Sequence, residues 1–494
     1  MKEKYSQSNF NQAFWLSISS FSTFAVTLLS AAILSRCFDK AEYGTYRQIL
    51  YVFTTLQAVF TAGLPGVFAY FIPRLTHEQG KQLVKSVNRL FILIGLAFSL
   101  FLYLTSGLIA GILNNPELST GLKIFSPFPL FTIPALGVEG IYTALKRTKS
   151  ILFYQVFNKI LMFLCIVLPV ILLHGTYRSA IIGWGIASFI TFLIAMHMKN
   201  KPFTEIKADL IPNMYKTVFN YSLPLMGASL AGMVLHSANT FFISRYYGTI
   251  AFAEFSNGFI TIPFIGMIAG SVKSVLLPLF SKAESEGNIN EAVEIYKKAV
   301  VQTISLIYPI LFFCLFFAKE IVVMLYGEQY EASKSFLQVS LIRDFTEVIP
   351  YLSVLLALGK SRVYFYVHLI SGLVMWAVGF IIINLGLPAI SIVLAYSLIQ
   401  ITIVFSNFIY IYVKFGILLI DKTLVKHIVI VVVHLSLVLS ILISFKFWII
   451  PSWNVYLYLV VLGVAYYSTI IISGRLIGVD YGTKILGRIR VIYQ

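Results

Sequence analysis

Charged residues are missing from long stretches of this chain, and the stretches recur at regular intervals. Apolar runs of about 20 residues, the length that crosses a bilayer as a helix, occupy Phe10–Ser35, Gln48–Pro73 and Leu90–Pro116. Three more fall within Ile124–Leu145, Ile151–Leu173 and Ser179–Met198. A polar connector, 199–216, separates these from spans near 217–244, 249–279, 299–318 and 335–358. Val363–Val413 is one uncharged run of 51 residues, too long for a single helix, and Asn384-Leu-Gly-Leu-Pro388 divides it. A last pair falls near 428–445 and 454–473, so the pattern predicts 14 transmembrane helices, an all-α polytopic membrane fold.

The second half of the pattern repeats the first. A charge-free helix ending in Ile33-Leu-Ser-Arg36, a polar break and a segment closing on Phe71-Ile-Pro73 return as Ile243-Ser-Arg245, Tyr246-Tyr-Gly248 and a segment closing on Leu277-Pro278. Arg36 aligns with Arg245, Pro73 with Pro278 and Gly80 with Gly287, and Ala144-Leu-Lys-Arg-Thr-Lys149 recurs as Ala357-Leu-Gly-Lys-Ser-Arg362. Two similar halves in an apolar chain are how transporters build a central cavity between parallel repeats. The boundaries that follow are 1–198 for the first lobe, 199–216 for the connector, 217–413 for the second lobe and 414–494 for two added helices and a tail.

Composition agrees. With 12% charged residues and a mean hydropathy of +0.87, the chain has far less polar surface than a soluble domain, which carries about 25%. The tails and every second loop hold 25 of the 37 Lys and Arg, and the opposite loops hold nine. Positive loops stay cytoplasmic, which places both termini inside, and the net charge of +17 reports topology and attraction to anionic lipid. Basic residues scattered over short segments form no nucleic-acid patch. Cys37, Cys165 and Cys314 lie in or beside three different spans without metal or redox spacing, and read as small apolar packers. The first helix is too long for a signal peptide and is expected to be retained. Connections reach only about 20 residues, and no phosphate loop, nucleophile elbow or His/Cys cluster is present. Enzyme, cofactor and metal readings are therefore set aside.

Chemistry is carried by charges inside the spans, each costing roughly 3 kcal/mol or more to bury. They are Glu139, Lys159, Glu254, Lys273, and the cluster Arg343, Asp344 and Glu347. Arg343 and Glu347 are one turn apart and able to pair, leaving Asp344 on another face. Lys273, in Gly270-Ser-Val-Lys273, either lines a cavity among small residues, where a cation suits a phosphate, or snorkels to the interface. Arg36 and Arg245 either snorkel at helix ends or flank one outer mouth. Glu139 and Glu254 either titrate or serve as structural hydrogen-bonded groups. His236 and His368 read as packers. Pro65, Pro134, Pro224, Pro263, Pro309 and Pro350 fall in or near spans and permit bends. Asn290–Lys298 reads as an amphipathic surface helix.

Leu34-Ser-Arg36 with Glu42-Tyr-Gly-Thr-Tyr46, Tyr221-Ser-Leu-Pro224 opening the second half and Val275-Leu-Leu-Pro278 closing the eighth span together resemble the polysaccharide flippases. These are the Wzx-type O-antigen and capsule repeat-unit translocases, of one superfamily with the multidrug and toxin extrusion antiporters and the lipid II flippases. The resemblance implies two six-helix lobes plus two added C-terminal helices, and movement of an undecaprenyl-diphosphate-linked oligosaccharide across the bacterial inner membrane by alternating access. A monomer working beside a polymerase and a chain-length regulator is the expected setting. Arg36, Arg47, Lys159, Arg245, Lys273 and Arg343 are then the residues expected to hold diphosphate and sugar, and Glu139, Glu254, Asp344 and Glu347 the candidates for ion coupling. Relatives often carry an acidic residue on the seventh span; Ser237-Ala-Asn239 stands there instead. A cation-coupled drug antiporter of the same fold, and a polysaccharide polymerase or ligase, are the alternatives.

Overall fold

The computed structural model describes residues 2–61, 63–204, 212–260, 262–286, 288–449 and 455–482. Gly287, connector residues 205–211 and the basic tail beyond 482 lie outside them. Every regular element among the described residues is helical, and the chain forms two compact units, Met1–Ser256 and Asn257–Gln494.

In the first unit, α1 (Lys2–Cys37) is followed by α2 (Lys40–Thr61) and α3 (Gly66–Phe71), which bend at Gly63 and Pro65. Then come α4 (His77–Ile112), α5 (Pro116–Phe125), α6 (Pro129–Ala135), α7 (Val138–Ala144), α8 (Thr148–Leu172), α9 (Tyr177–Asn200), α10 (Met214–Tyr246) and α11 (Gly248–Gly258), the last straddling the boundary. The third helix begins far earlier than the hydrophobic run at Leu90 suggests. Thr76 Oγ1 accepts from the Gln79 amide and Gln79 Oε1 accepts from the Thr76 amide, each at 3.3 Å. This reciprocal cap fixes a helix start inside a polar stretch. The fourth span is broken: α5 meets the α6–α7 segment at 57°. Gly137, with φ of +93°, opens α7, and a Cβ there would stand 2.3 Å from the Phe68 ring. Only glycine meets both conditions. The interior of the unit is aromatic, with Phe53 4.9 Å from Phe125 and Phe125 5.4 Å from Trp184 between ring centres.

The second unit contains α12 (Pro263–Glu286), α13 (Ile289–Phe316), α14 (Ala318–Tyr326), α15 (Ser333–Glu347), α16 (Leu352–Ala357), α17 (Ser361–Asn384), α18 (Ala389–Phe415), α19 (Lys422–Ile449) and α20 (Val455–Leu476). The break in the long apolar run falls at Leu385–Pro388, as the Gly-Leu-Pro sequence requires. Residues 290–298 are the first turns of α13 and not a separate surface helix. Lys297 there bonds Asp421 at 2.9 Å, and Asp421 caps α19 by accepting from the Leu424 amide. That hydrogen bond from Lys297 holds the Asp421 carboxyl below its ordinary range. Tyr466 on α20 donates to the Pro309 carbonyl of α13.

Nine described helices are long and apolar enough to cross a membrane, and eleven if each bent pair is one span. The other three expected spans correspond to α10, to α11 with α12 and to α15 with α16, the last two each divided. The chain is an all-α, multi-pass membrane protein.

Candidate functional site

The motif Glu42-Tyr-Gly-Thr-Tyr46 acquires a physical meaning at the start of α2. Glu42 Oε1 accepts from the Tyr177 amide at 2.8 Å, holding the first turn of α9. Gly44 faces the backbone of Thr249 so closely that a Cβ would lie 2.1 Å from its carbonyl oxygen. Thr45 Oγ1 and Gln48 Oε1 both accept from Asn115 Nδ2, at 3.0 and 2.6 Å, and Gln48 Nε2 donates to Ser244 Oγ at 2.9 Å. In this way α2 is tied to α5, α9, α10 and α11 by one short stretch.

Several sequence candidates belong to this bracing. Lys40, which sequence reasoning counted only as a loop cation, lies 2.6 Å from Glu254. Glu254 is thus one half of an ion pair. Arg47 donates to the Ser256 carbonyl at 3.3 Å. Arg245 donates through Nη1 to the Gly111 carbonyl at 2.8 Å and to that of Ile112, covering the carbonyl end of α4, where the helix dipole favours a cation. Arg36, in the last turn of α1, is exposed.

A second polar group runs along the seam of α1 and α8. Ser19 on α1 is fully buried and donates to Gln155 Oε1, and Gln155 Nε2 donates to Glu139 on α7. Lys159 follows Gln155 by one turn and is partly buried. Its ammonium has no hydrogen bond or ion pair among the described residues.

Sequence reasoning missed Lys199, assigned to the connector because it ends an apolar run. It is fully buried, donates to Asn88 Oδ1 at 2.9 Å and to the Pro134 carbonyl at 2.7 Å, and lies 5.0 Å from the Phe91 ring centre. The Pro134 carbonyl is open because α6 ends at Ala135, leaving the carbonyls of its last turn without intrahelical partners.

In the second unit Arg343 pairs first with its neighbour. Nη2 and Nε lie 2.6 and 3.0 Å from Asp344 Oδ1, while Glu347 is at 3.4 Å, and the guanidinium stands 5.0 Å from the Phe259 ring. Asp344 therefore shares the pair and is not left on another face, because a long guanidinium curls back over the adjacent residue. Asp344 is 1% exposed, and its Oδ2 makes no hydrogen bond. Glu347 is exposed. Lys273 accepts a hydrogen bond from Ser353 only at its backbone carbonyl, and its ammonium has no partner among the described residues. Arg47, Arg245 and Arg343 are engaged internally, then, whereas the ammonium groups of Lys159 and Lys273 make no hydrogen bond or ion pair among the described residues.

No curated protein matches the sequence. Among solved structures, the lipid II flippase MurJ in an inward closed conformation superposes with a TM-score of 0.68 at 16% identity, covering 93% of this chain and 99% of that one. An inward-facing multidrug resistance MATE family transporter gives 0.62 at 13% identity, covering 80% and 97%. A MOP superfamily transporter from Pyrococcus furiosus, described as having a binding pocket of reversed polarity, gives 0.57 at 15% identity, covering 83% and 96%. These likenesses establish the transporter fold. The family model described as polysaccharide biosynthesis protein matches residues 33–335, more than half of the sequence, and the chain belongs to that family.

Proposed function

We propose that the protein is a flippase that carries a polyprenyl-diphosphate-linked oligosaccharide, undecaprenyl-linked in bacteria, across the inner membrane by alternating access. The observation that carries this reading is the pair of lysines, Lys159 and Lys273, whose ammonium groups lie on membrane helices without an ion pair among the described residues. An uncompensated cation in a span is costly, and a diphosphate repays the cost by charge-assisted hydrogen bonds that let it pass the hydrocarbon. A drug-cation antiporter needs the opposite polarity. Membership of a polysaccharide biosynthesis family supports a sugar-bearing cargo, and the likeness to a lipid II flippase and to transporters supports movement of that cargo without chemistry on it.

Both termini face the cytoplasm in this reading, and a monomer works beside a polymerase and a chain-length regulator. Of the four acidic candidates, Asp344 is the one we assign to ion coupling. Glu254 is paired with Lys40 and Asp344 with Arg343, but Asp344 Oδ2 is buried and has no hydrogen bond among the described residues, which leaves it able to take a proton or a small cation. The test is the distribution of lipid-linked oligosaccharide in cells lacking the protein. Accumulation on the cytoplasmic leaflet, relieved by the wild-type chain and not by Lys159→Ala with Lys273→Ala, supports the reading. Normal delivery to the outer leaflet without the protein contradicts it.

A further inference from the structure

The seam of α1 and α8 holds a graded series of side chains. Trp15 lies one turn before Ser19 on α1, with Lys149 Nζ 5.3 Å from its ring centre. Next comes the hydrogen-bonded chain from Ser19 through Gln155 to Glu139, and one turn further along α8 stands Lys159. The two helices run in parallel here, since Trp15 meets Lys149 and Ser19 meets Gln155 in the same order. An indole, a carboxamide, a carboxylate and an ammonium thus stand near one another along a single seam.

The chain of bonds fixes Gln155 and leaves specific valences open. Its carboxamide spends the oxygen on Ser19 and one N–H on Glu139, so the second N–H remains. Glu139 is exposed and accepts at Oε1, and its second oxygen has no partner among the described residues. Lys159 keeps its donors. A free carboxylate oxygen and an oriented amide N–H beside an aromatic ring constitute hydroxyl-recognition chemistry, since each sugar hydroxyl both donates and accepts. Nothing in this set suits a purely apolar cargo.

Resting on the flippase reading, we propose that Trp15, Glu139 and Gln155 form a saccharide subsite within the first unit, with the buried Ser19 positioning Gln155, and that this subsite holds the sugar joined directly to the diphosphate while Lys159 holds the phosphate. One helical turn, ~5.4 Å, separates Lys159 from Gln155, about the span of one pyranose ring. Glu139 is then a sugar-binding residue and not a proton carrier.

The test is binding to the full chain in nanodiscs, with farnesyl diphosphate and its diphosphate-linked N-acetylglucosamine derivative as probes. The wild-type chain is expected to bind the sugar-bearing probe more tightly than the bare one. Glu139→Gln and Gln155→Leu are each expected to weaken the sugar-bearing probe about tenfold and to leave the bare probe unchanged, whereas Lys159→Ala weakens both. Glu139 is exposed and its glutamine variant isosteric, so that comparison stands even if Gln155→Leu folds poorly. Equal wild-type affinity for the two probes, or a Glu139→Gln loss shared equally by both, overturns the subsite alone. A wild-type chain that binds neither probe overturns the flippase reading and the subsite with it.

Discussion

Lys40 Nζ and Glu254 Oε1 stand 2.6 Å apart, joining the first turn of α2 to α11 across 214 positions of sequence, with side chains only 27% and 17% exposed. Beside them Gln48 bonds Ser244, and Arg47 bonds the Ser256 carbonyl. The start of α2 is therefore a polar clasp between helices distant in sequence.

Breaking the clasp from one side strands a partly buried charge. Glu254→Gln or Lys40→Met is expected to cost about 1–2 kcal/mol, more than an exposed pair and less than a fully buried one. The double variant should recover part of the loss, a coupling read by thermal unfolding of the four proteins in detergent. Strict additivity would show that the pair is not coupled.

Lys199 is expected to be a structural residue. Lys199→Ala removes the donor from Asn88 Oδ1 and the Pro134 carbonyl and opens a cavity beside Phe68 and Phe91. A loss of about 3 kcal/mol or more follows, read as a lowered melting temperature. The arginine variant should not restore it, because a planar fork does not fit a site built around one nitrogen.

Gly137→Ala should destabilise the protein by about 2 kcal/mol or more, since it combines a positive φ with a ring 2.3 Å from the new methyl. Gly111→Ala is the control: a Cβ there meets nothing within 4 Å. Its melting temperature should change by less than a third as much.

The Lys297–Asp421 contact gives a pH dependence of definite sign. The folded carboxyl is held below its ordinary value of 3.8. Its stabilisation is therefore complete above the unfolded value and is lost as the pH falls through the folded one. Asp421→Asn is expected to lower the melting temperature by about 2 °C at pH 7, and the difference should shrink as the pH falls below 3.8. A difference that stays the same as the pH falls would remove the ion pair from the explanation.

The spans were legible in the sequence because a bilayer imposes length and apolarity on every crossing, and Asn384–Pro388 marked its break with residues that end helices. The broken fourth span was not, since the 57° bend falls at residues 126–128, between α5 and α6, inside a stretch whose hydropathy does not mark it. Hydropathy also hid the start of α4, although Thr76 and Gln79 stand at capping-box spacing. Of the candidate site, residue type was readable and use was not. Arg245 and Arg47 read in sequence as candidate diphosphate ligands at helix ends and loops, yet both bond backbone carbonyls distant along the chain. Lys40 found Glu254, and Lys199 found Pro134, only through folding. Lys159 and Lys273 stand out by what they lack among the described residues, which no sequence pattern reveals.

The central claim is that positively charged groups inside the membrane helices carry a diphosphate-linked sugar from one leaflet to the other. It is tested most directly in vesicles reconstituted with the purified chain and a fluorescent polyprenyl-diphosphate sugar, by the rate at which the probe becomes accessible to a membrane-impermeant quencher. The account predicts a rate well above that of protein-free vesicles, reduced about tenfold or more when Lys159 and Lys273 are both replaced by alanine. A rate equal to that of empty vesicles, or one that the double variant leaves intact, would contradict it.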